Sequence, residues 1–363
     1  MLTPDERLGL AGRSLDGRVR RALHALPPTA ISSLQSRLER EARHHGLLYE
    51  RDDGTETIRV MPRPLVMLPE QLAYLHHVTL QVIDALEQLP ELYLVDEHVR
   101  RTVPLAAEEE AFLREVHRPG HDRHDPLYPR LDAVVELPSA RWRDTLKFVE
   151  ANLGGVGGIH IAPTAESLVW RDVVPTIRDH DPGLQLRLPR DQRQLFLQAL
   201  IDHQKAVGRG SGAIALLEPK YVSGGPVEQS HLVRHLHELF GVELVTADPR
   251  DLRLRDGEVW VGDHRIDVAY RDYEVRDLLA VARDEGVDLE PVKTLFRENR
   301  MVSGLGGEFD HKSAFELLTD PEFAERAFSP EERRLFEKHV LWTRLVGERK
   351  VTLPDGRSVD LMP

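Results

Sequence analysis

Apolar residues recur at helical spacing through the first third of the chain. Pro4-Asp-Glu-Arg opens one amphipathic run. A second spans about Ser32 to His45, after the Pro27-Pro28 break, with Leu34, Leu38 and Ala42 on one face. Asp52-Asp53-Gly54 reads as a turn, with a strand expected over Thr57–Val60 before Pro62. Pro69–Leu89 sets Leu72, Leu75, Val78, Val82 and Leu86 on one side of a long helix, and glutamate-rich Pro104–Val116 forms another. The polar His117–Pro129 segment suits a loop.

The period then changes to two. Leu131–Leu137 and Leu146–Ala151 read as antiparallel strands, with Leu146 and Phe148 on the same face as Glu150 and Asn152, so that face starts apolar and ends acidic. Gly154-Gly-Val-Gly-Gly158 is expected to be a flexible turn. Helix returns over Leu186–Val207, with Leu195, Leu197, Leu200 and Ile201 as its apolar positions. Gly208-Arg-Gly-Ser-Gly212 reads as a hinge or domain boundary. From Ala213 strands and helices alternate. Ala213–Leu217 is a buried strand, and a Pro226–Phe240 helix has Pro226 in its first turn and Leu232, Leu236 and Leu239 inward. Gly241 caps that helix before a strand over Val242–Thr246. Asp256-Gly257 turns between Leu252–Leu254 and Val259–Val261. Ile266–Tyr270 is a further strand, and a helix covers about Val275–Asp284. This is an α/β unit with at least two parallel strands.

At 363 residues and 41% hydrophobic, the chain can bury a substantial core in two or three domains. It has no cysteine, which excludes disulfides, thiolate metal sites and cysteine nucleophiles. Met1–Gly17 lacks the apolar run of a secretory signal, and no window is apolar enough for a bilayer, so a cytoplasmic protein without membrane partners is expected. The formal net charge of −13 argues against a nucleic-acid backbone as partner, while leaving room for a locally basic pocket.

The candidate chemistry centres on Arg130-Leu-Asp132 and Glu150-Ala-Asn152. Two-residue steps point each pair to one side of its strand, so Asp132, Glu150 and Asn152 can converge at one end of a sheet. Two carboxylates and a neutral carbonyl suit Mg²⁺, which keeps positions for water and phosphate oxygens. Asp and Asn also make turns at strand ends, and a strand Glu can simply meet water. His117, His121 and His124 with Asp122 and Asp125 form a second metal-capable loop, otherwise a solvated one. His231 and His235 stand four apart on a predicted helix, without the intervening Glu of a zincin, and a structural face is expected. The glycines at 154, 155, 157 and 158 can present N–H groups to phosphate but fit no familiar phosphate motif. Arg271, Tyr273 and Glu274 follow a strand end, where open α/β sheets place ligand contacts or simply cap a helix. Trp142, Trp170, Trp260 and Trp342 are expected to pack.

Arg130-x-Asp132, Lys147-Phe-Val-Glu150-x-Asn152, Ile266-Asp267-Val-Ala-Tyr270-Arg271 and Asp310-His-Lys312-Ser-Ala-Phe occur in an order that resembles the circularly permuted ATP-grasp ligases. Glutathionylspermidine synthase is the best-known type. The resemblance spans about residues 125 to 345. It implies a mixed α/β (α+β) fold with a helical N-terminal region over 1–125 and an ATP-grasp-like metal-ligand sheet over 126–209. A Rossmann-like pre-ATP-grasp domain over 210–305 and the start of a C-terminal ATP-grasp portion over 306–363 would follow. It implies Mg²⁺ on Asp132, Glu150 and Asn152, ATP as substrate, and Arg130 and Lys312 as catalytic phosphate or substrate contacts. Gly154, Gly155 and Arg271 would be nucleotide contacts. His311 stands where the family usually has Asn, and the gap from Asp132 to Glu150 is longer than the family pattern.

The implied activity is ATP-dependent ligation of a small-molecule or peptide carboxylate to an amine through an acyl phosphate, with no nucleic-acid or membrane partner and the oligomeric state open. The resemblance also implies a Lys-Pro strand and a glycine-rich loop beyond Phe336–Val346. The chain stops at Pro363, so a fragment or a degenerate relative is expected. The alternatives are a non-catalytic binding or scaffold protein that keeps the fold, and a metal-dependent hydrolase built on the His117–Asp125 loop.

Overall fold

A computed structural model describes residues 2–119, 127–219 and 225–362. The fold is mixed α/β, and the chain divides into two compact units that interleave in sequence. The first comprises Met1–Pro69, Leu137–Ala140 and Val156–Asp272; the second comprises Glu70–Glu136, Arg141–Gly155 and Tyr273–Pro363. Among the described residues no helix is long and apolar enough to cross a membrane.

In the first unit, the opening helix Pro4–His24 starts on a capping box in which Thr3 and Glu6 satisfy each other's backbone N–H groups. The helix Pro28–His44 begins four residues earlier than its apolar pattern suggests, because Pro28 is well suited to a first helical turn. Val19, Ala22, Leu38, Ala42, Leu47 and Val60 pack with Leu168, Val173, Ile177 and Leu184 as one buried cluster. The turn at Asp52-Asp53-Gly54 joins the strands Leu48–Arg51 and Gly54–Thr57, so the strand expected over Thr57–Val60 lies earlier and as half of a hairpin.

The same unit holds an open sheet in the order Leu244–Ala247, Ala213–Leu217, His264–Arg271, Glu258–Val261, Arg253–Arg255. The first three strands are parallel and the last two antiparallel. The predicted α/β alternation is thus present, and Asp256 and Gly257 both take positive φ in the two-residue turn, the conformation a tight hairpin demands. Two details differ. The helix begins at Gln229 rather than Pro226, whose backbone instead pairs with Tyr49. Leu239 is exposed, as are Leu72 and Leu195 on their own helices, because an apolar residue at the edge of a helical stripe need not meet the core.

Asp267 explains the Gly208–Gly212 segment. The register between Ile266 and Val268 shifts by one, and the fully buried Asp267 carboxylate accepts N–H groups from Gly210 at 2.9 Å and Gly212 at 2.7 Å and the Gln204 amide at 3.1 Å. Burial alone would raise its pKa, but these bonds outweigh that and hold it below the ordinary value. A Cβ on Gly212 would lie 2.4 Å from the Asp267 carboxylate, so only glycine fits.

In the second unit, Arg130–Val134 pairs antiparallel with Lys147–Asn152. The strand expected over Leu131–Leu137 therefore stops at Val134, and Leu146 precedes its partner. The outer edge of Lys147–Asn152 is covered by Val340, which bridges to Phe148, with the Leu341 N–H donating to the Phe148 carbonyl at 2.9 Å. Trp142, Leu146, Phe148, Phe336 and Val340 are buried and Trp342 is half-buried, as are Trp170 and Trp260 within the first unit. The buried helix Ala314–Thr319 carries Glu316 with no exposed surface, and Arg349 clamps it through two bonds at 2.5 and 2.7 Å.

Candidate functional site

The ribbon of the second unit brings the predicted ligands to one face. Asp132 lies directly opposite Glu150, and Arg130 opposite Asn152. The Asn152 amide sits 3.5 Å from Asp132 Oδ1, and Arg130 Nε donates to the same oxygen at 2.9 Å. Lys312 Nζ stands 3.6 Å from Glu150 Oε2. Five residues separated by up to 182 positions in the chain thus share one surface.

A β-bulge creates this arrangement. The register runs Asp132 with Glu150 and then Ala133 with Phe148, which leaves Val149 without an opposite residue. Phe148 and Glu150 consequently face opposite sides of the ribbon, contrary to the expectation that one face starts apolar and ends acidic. Phe148 and Ala151 are buried, whereas Glu150 and Asn152 are half-exposed. Strict alternation would have carried the two polar residues inward with Phe148.

Asp310 fixes where the ribbon ends. Its carboxylate accepts the Leu153 N–H at 3.0 Å, and the Gly154 N–H also bonds to it. Although the residue reaches solvent, the surrounding protein desolvates the carboxyl and raises its pKa against the pull of those two bonds. Gly154, one of the predicted phosphate donors, therefore directs its N–H at a protein carboxylate. Gly155 follows with φ +59°, a conformation that favours glycine. Asp310 belongs to the Asp-His-Lys motif, but nothing in its spacing foretold this anchoring role.

The other side of the ribbon is anchored by His339, also absent from the sequence expectations. Its Nδ1 donates to the Leu146 carbonyl at 3.2 Å, which leaves Nε2 to accept the Tyr74 hydroxyl at 2.7 Å. The ring is buried, and that burial holds its pKa down to about 4. Arg143 lies over the Tyr74 ring at 4.0 Å, and Lys147 donates to the Lys338 carbonyl at 2.6 Å.

Arg271 belongs to the first unit, where it closes a parallel strand with its side chain buried. Tyr273 is buried and Glu274 exposed in the second unit, with Glu274 preceding the helix Val275–Glu285. In the first unit, Glu228 accepts N–H groups from Gly158 at 2.6 Å, His160 at 2.9 Å and Ile161 at 3.3 Å. The glycine run is thus tied to a protein carboxylate in each unit, at Gly154 by Asp310 and at Gly158 by Glu228, rather than being a free turn. Burial raises the pKa of Glu228 against the pull of its three bonds.

His231 and His235 pack their rings 5.7 and 6.1 Å from that of His160, whose pKa burial holds down to about 4. Among the described residues no three His, Cys, Asp or Glu side chains are grouped to hold a metal. His121, His124, Asp122 and Asp125 lie outside the described residues.

The donor set on the ribbon fits a hard divalent cation in its chemistry: two carboxylates and an amide whose oxygen can turn toward the ion, all with solvent-accessible side chains. No family model matches the chain, and no curated protein matches it. Among solved structures it is similar to a glutathione synthetase-like effector, GSS30 from Globodera pallida, in its apo form. That likeness has a TM-score of 0.59 at 13% identity and covers 87% of this chain and 71% of the other, so what the two share is the fold.

Proposed function

We propose that the chain is an ATP-dependent carboxylate–amine ligase of the ATP-grasp type, in the circularly permuted arrangement that its motif order resembles. The observation that carries this reading is the register of the ribbon, with Asp132 opposite Glu150, Asn152 beside them, and Arg130 and Lys312 at their carboxylates. The fold likeness to a glutathione synthetase-like protein supports it.

On this reading Asp132, Glu150 and Asn152 hold Mg²⁺, which neutralises charge on the ATP phosphates when bound. Arg130 offers a planar fork to phosphate oxygens or to the substrate carboxylate, and Lys312 a point charge. A carboxylate oxygen attacks the γ-phosphorus and ADP departs, leaving an acyl phosphate. An amine then attacks the acyl carbon, phosphate leaves, and the amine loses a proton as the amide forms. Such transfer needs positioning and charge stabilisation rather than a protein nucleophile. The substrates are a small-molecule or peptide carboxylate and an amine.

Thermal unfolding with Mg²⁺ and ATP, together with hydroxylamine trapping of activated carboxylates, tests the reading. Mg²⁺-ATP should raise the melting temperature by mass action. Asp132→Asn and Glu150→Gln should each remove the shift. Hydroxamate should form only with ATP and a carboxylate present.

One observation favours a second reading, a binding protein without turnover. The side chains of Arg130, Asp132, Glu150 and Lys312 are 46%, 40%, 41% and 64% exposed, and phosphoryl transfer is favoured by exclusion of water. A melting shift with Mg²⁺-ATP but no hydroxamate with any carboxylate would select that reading.

A further inference from the structure

We infer that Arg130 and Lys312 are built-in counter-ions that keep free divalent metal off the ribbon and release it a place only when a polyphosphate arrives with it. The inference rests on the ligase reading of the same site but makes a separate claim about metal alone. Each acidic ligand already carries one cation of the protein: Arg130 Nε at 2.9 Å on Asp132 Oδ1, and Lys312 Nζ at 3.6 Å on Glu150 Oε2. The Asn152 amide also turns its nitrogen, not its oxygen, toward Asp132. These three contacts compete with a divalent ion for Asp132 Oδ1 and Glu150 Oε2.

A bare ion gains two carboxylates but faces a guanidinium and an ammonium left within a few ångströms. Two positive charges have only changed places, with like charges newly opposed. A polyphosphate alters the balance, because its oxygens accept the Arg130 fork and the Lys312 ammonium as these leave the carboxylates. Both cations sit on long side chains that are at least 46% exposed, so they have room to swing, and exposed ion pairs of this kind are weak enough to exchange. Metal and polyphosphate therefore bind together, each strengthening the other by the same factor.

Titration of the full chain with Mn²⁺, followed by electron paramagnetic resonance of the free aqua ion, tests this without any activity readout. The probes are Mn²⁺ alone, Mn²⁺ with inorganic tripolyphosphate, and Mn²⁺ with ATP. In the wild type, tripolyphosphate should tighten Mn²⁺ binding at least tenfold beyond what its own chelation explains. Arg130→Gln and Lys312→Gln should each tighten binding of Mn²⁺ alone by about fivefold, the effect of one charge removed near a solvated site. The double variant should gain both increments and lose the tripolyphosphate effect, and adding Asp132→Asn to it should remove the gain.

The inference is overturned if the double variant binds Mn²⁺ no tighter than the wild type, or if tripolyphosphate leaves the wild type unchanged. The ligase reading fails separately. ATP that binds no better than tripolyphosphate sinks that reading and spares the counter-ions, whereas ATP-dependent hydroxamate formation with no metal gain in the variants does the reverse.

Discussion

Glu150 lies across the ribbon from Asp132, while Phe148, two residues earlier on the same strand, lies across from Ala133 on the other face. The unpaired Val149 between them is the reason. One inserted residue turns the polar end of the strand outward and leaves Phe148 and Ala151 in the core.

Inserting an alanine between Asp132 and Ala133 should therefore be far more damaging than deleting Val149. The insertion gives Val149 an opposite residue, puts Phe148 and Glu150 on one face and drives Glu150 and Asn152 toward the buried side, at about 1–3 kcal/mol for each buried polar group left without a partner. Deleting Val149 removes the bulge but keeps Ala133 opposite Phe148 and Asp132 opposite Glu150, so it should cost about 1 kcal/mol. Urea denaturation of the two variants compares them directly. Equal losses would mean that the bulge does not set the facing of the ligands.

His339 and His160 make the protein acid-sensitive. Each ring is buried, and burial holds its pKa down to about 4 from the ordinary 6.5. The unfolded chain takes up the proton first, so stability is fully present above pH 6.5 and declines as the pH falls toward 4. His339→Leu should remove one proton from this uptake. Unfolding free energy plotted against pH should then be flatter by about 1.4 kcal/mol per pH unit in that window. An unchanged slope would show His339 to be protonated in the folded protein.

Glu228→Ala should destabilise the first unit. It removes the acceptor for the N–H groups of Gly158, His160 and Ile161, at the start of the helix Ile161–Asp172. Losing a charge-assisted cap of this kind costs about 2 kcal/mol. Hydrogen exchange should locate the effect, with the amides of 158, 160 and 161 losing protection first.

Arg349→Met should cost more than an ordinary surface substitution. Glu316 is fully buried and takes two bonds from the Arg349 guanidinium and one at 2.6 Å from the Leu345 N–H. Removing the cation leaves a buried carboxylate uncompensated, a change of about 3–5 kcal/mol. The pair Glu316→Leu with Arg349→Met should recover much of that loss, measured as a double-mutant cycle by thermal unfolding.

The sequence by itself determined the local grammar. Apolar spacing marked a helix opening at Pro4 and others over about Ser32–His45, Pro69–Leu89 and Val275–Asp284, and runs of apolar residues marked the parallel strands at Ala213–Leu217 and Ile266–Tyr270, each overlapping an element of the fold. These are legible because each depends on a repeat within a few residues of chain. Arg130, Asp132, Glu150 and Asn152 were legible as a set for the same reason. Tertiary structure decided which way they face, because a bulge at Val149 resets a period of two and leaves no mark in composition. It also decided what holds them: Lys312, Asp310 and His339 reach the ribbon from more than 150 residues away, and contacts across such separations follow from how the chain packs rather than from its local pattern.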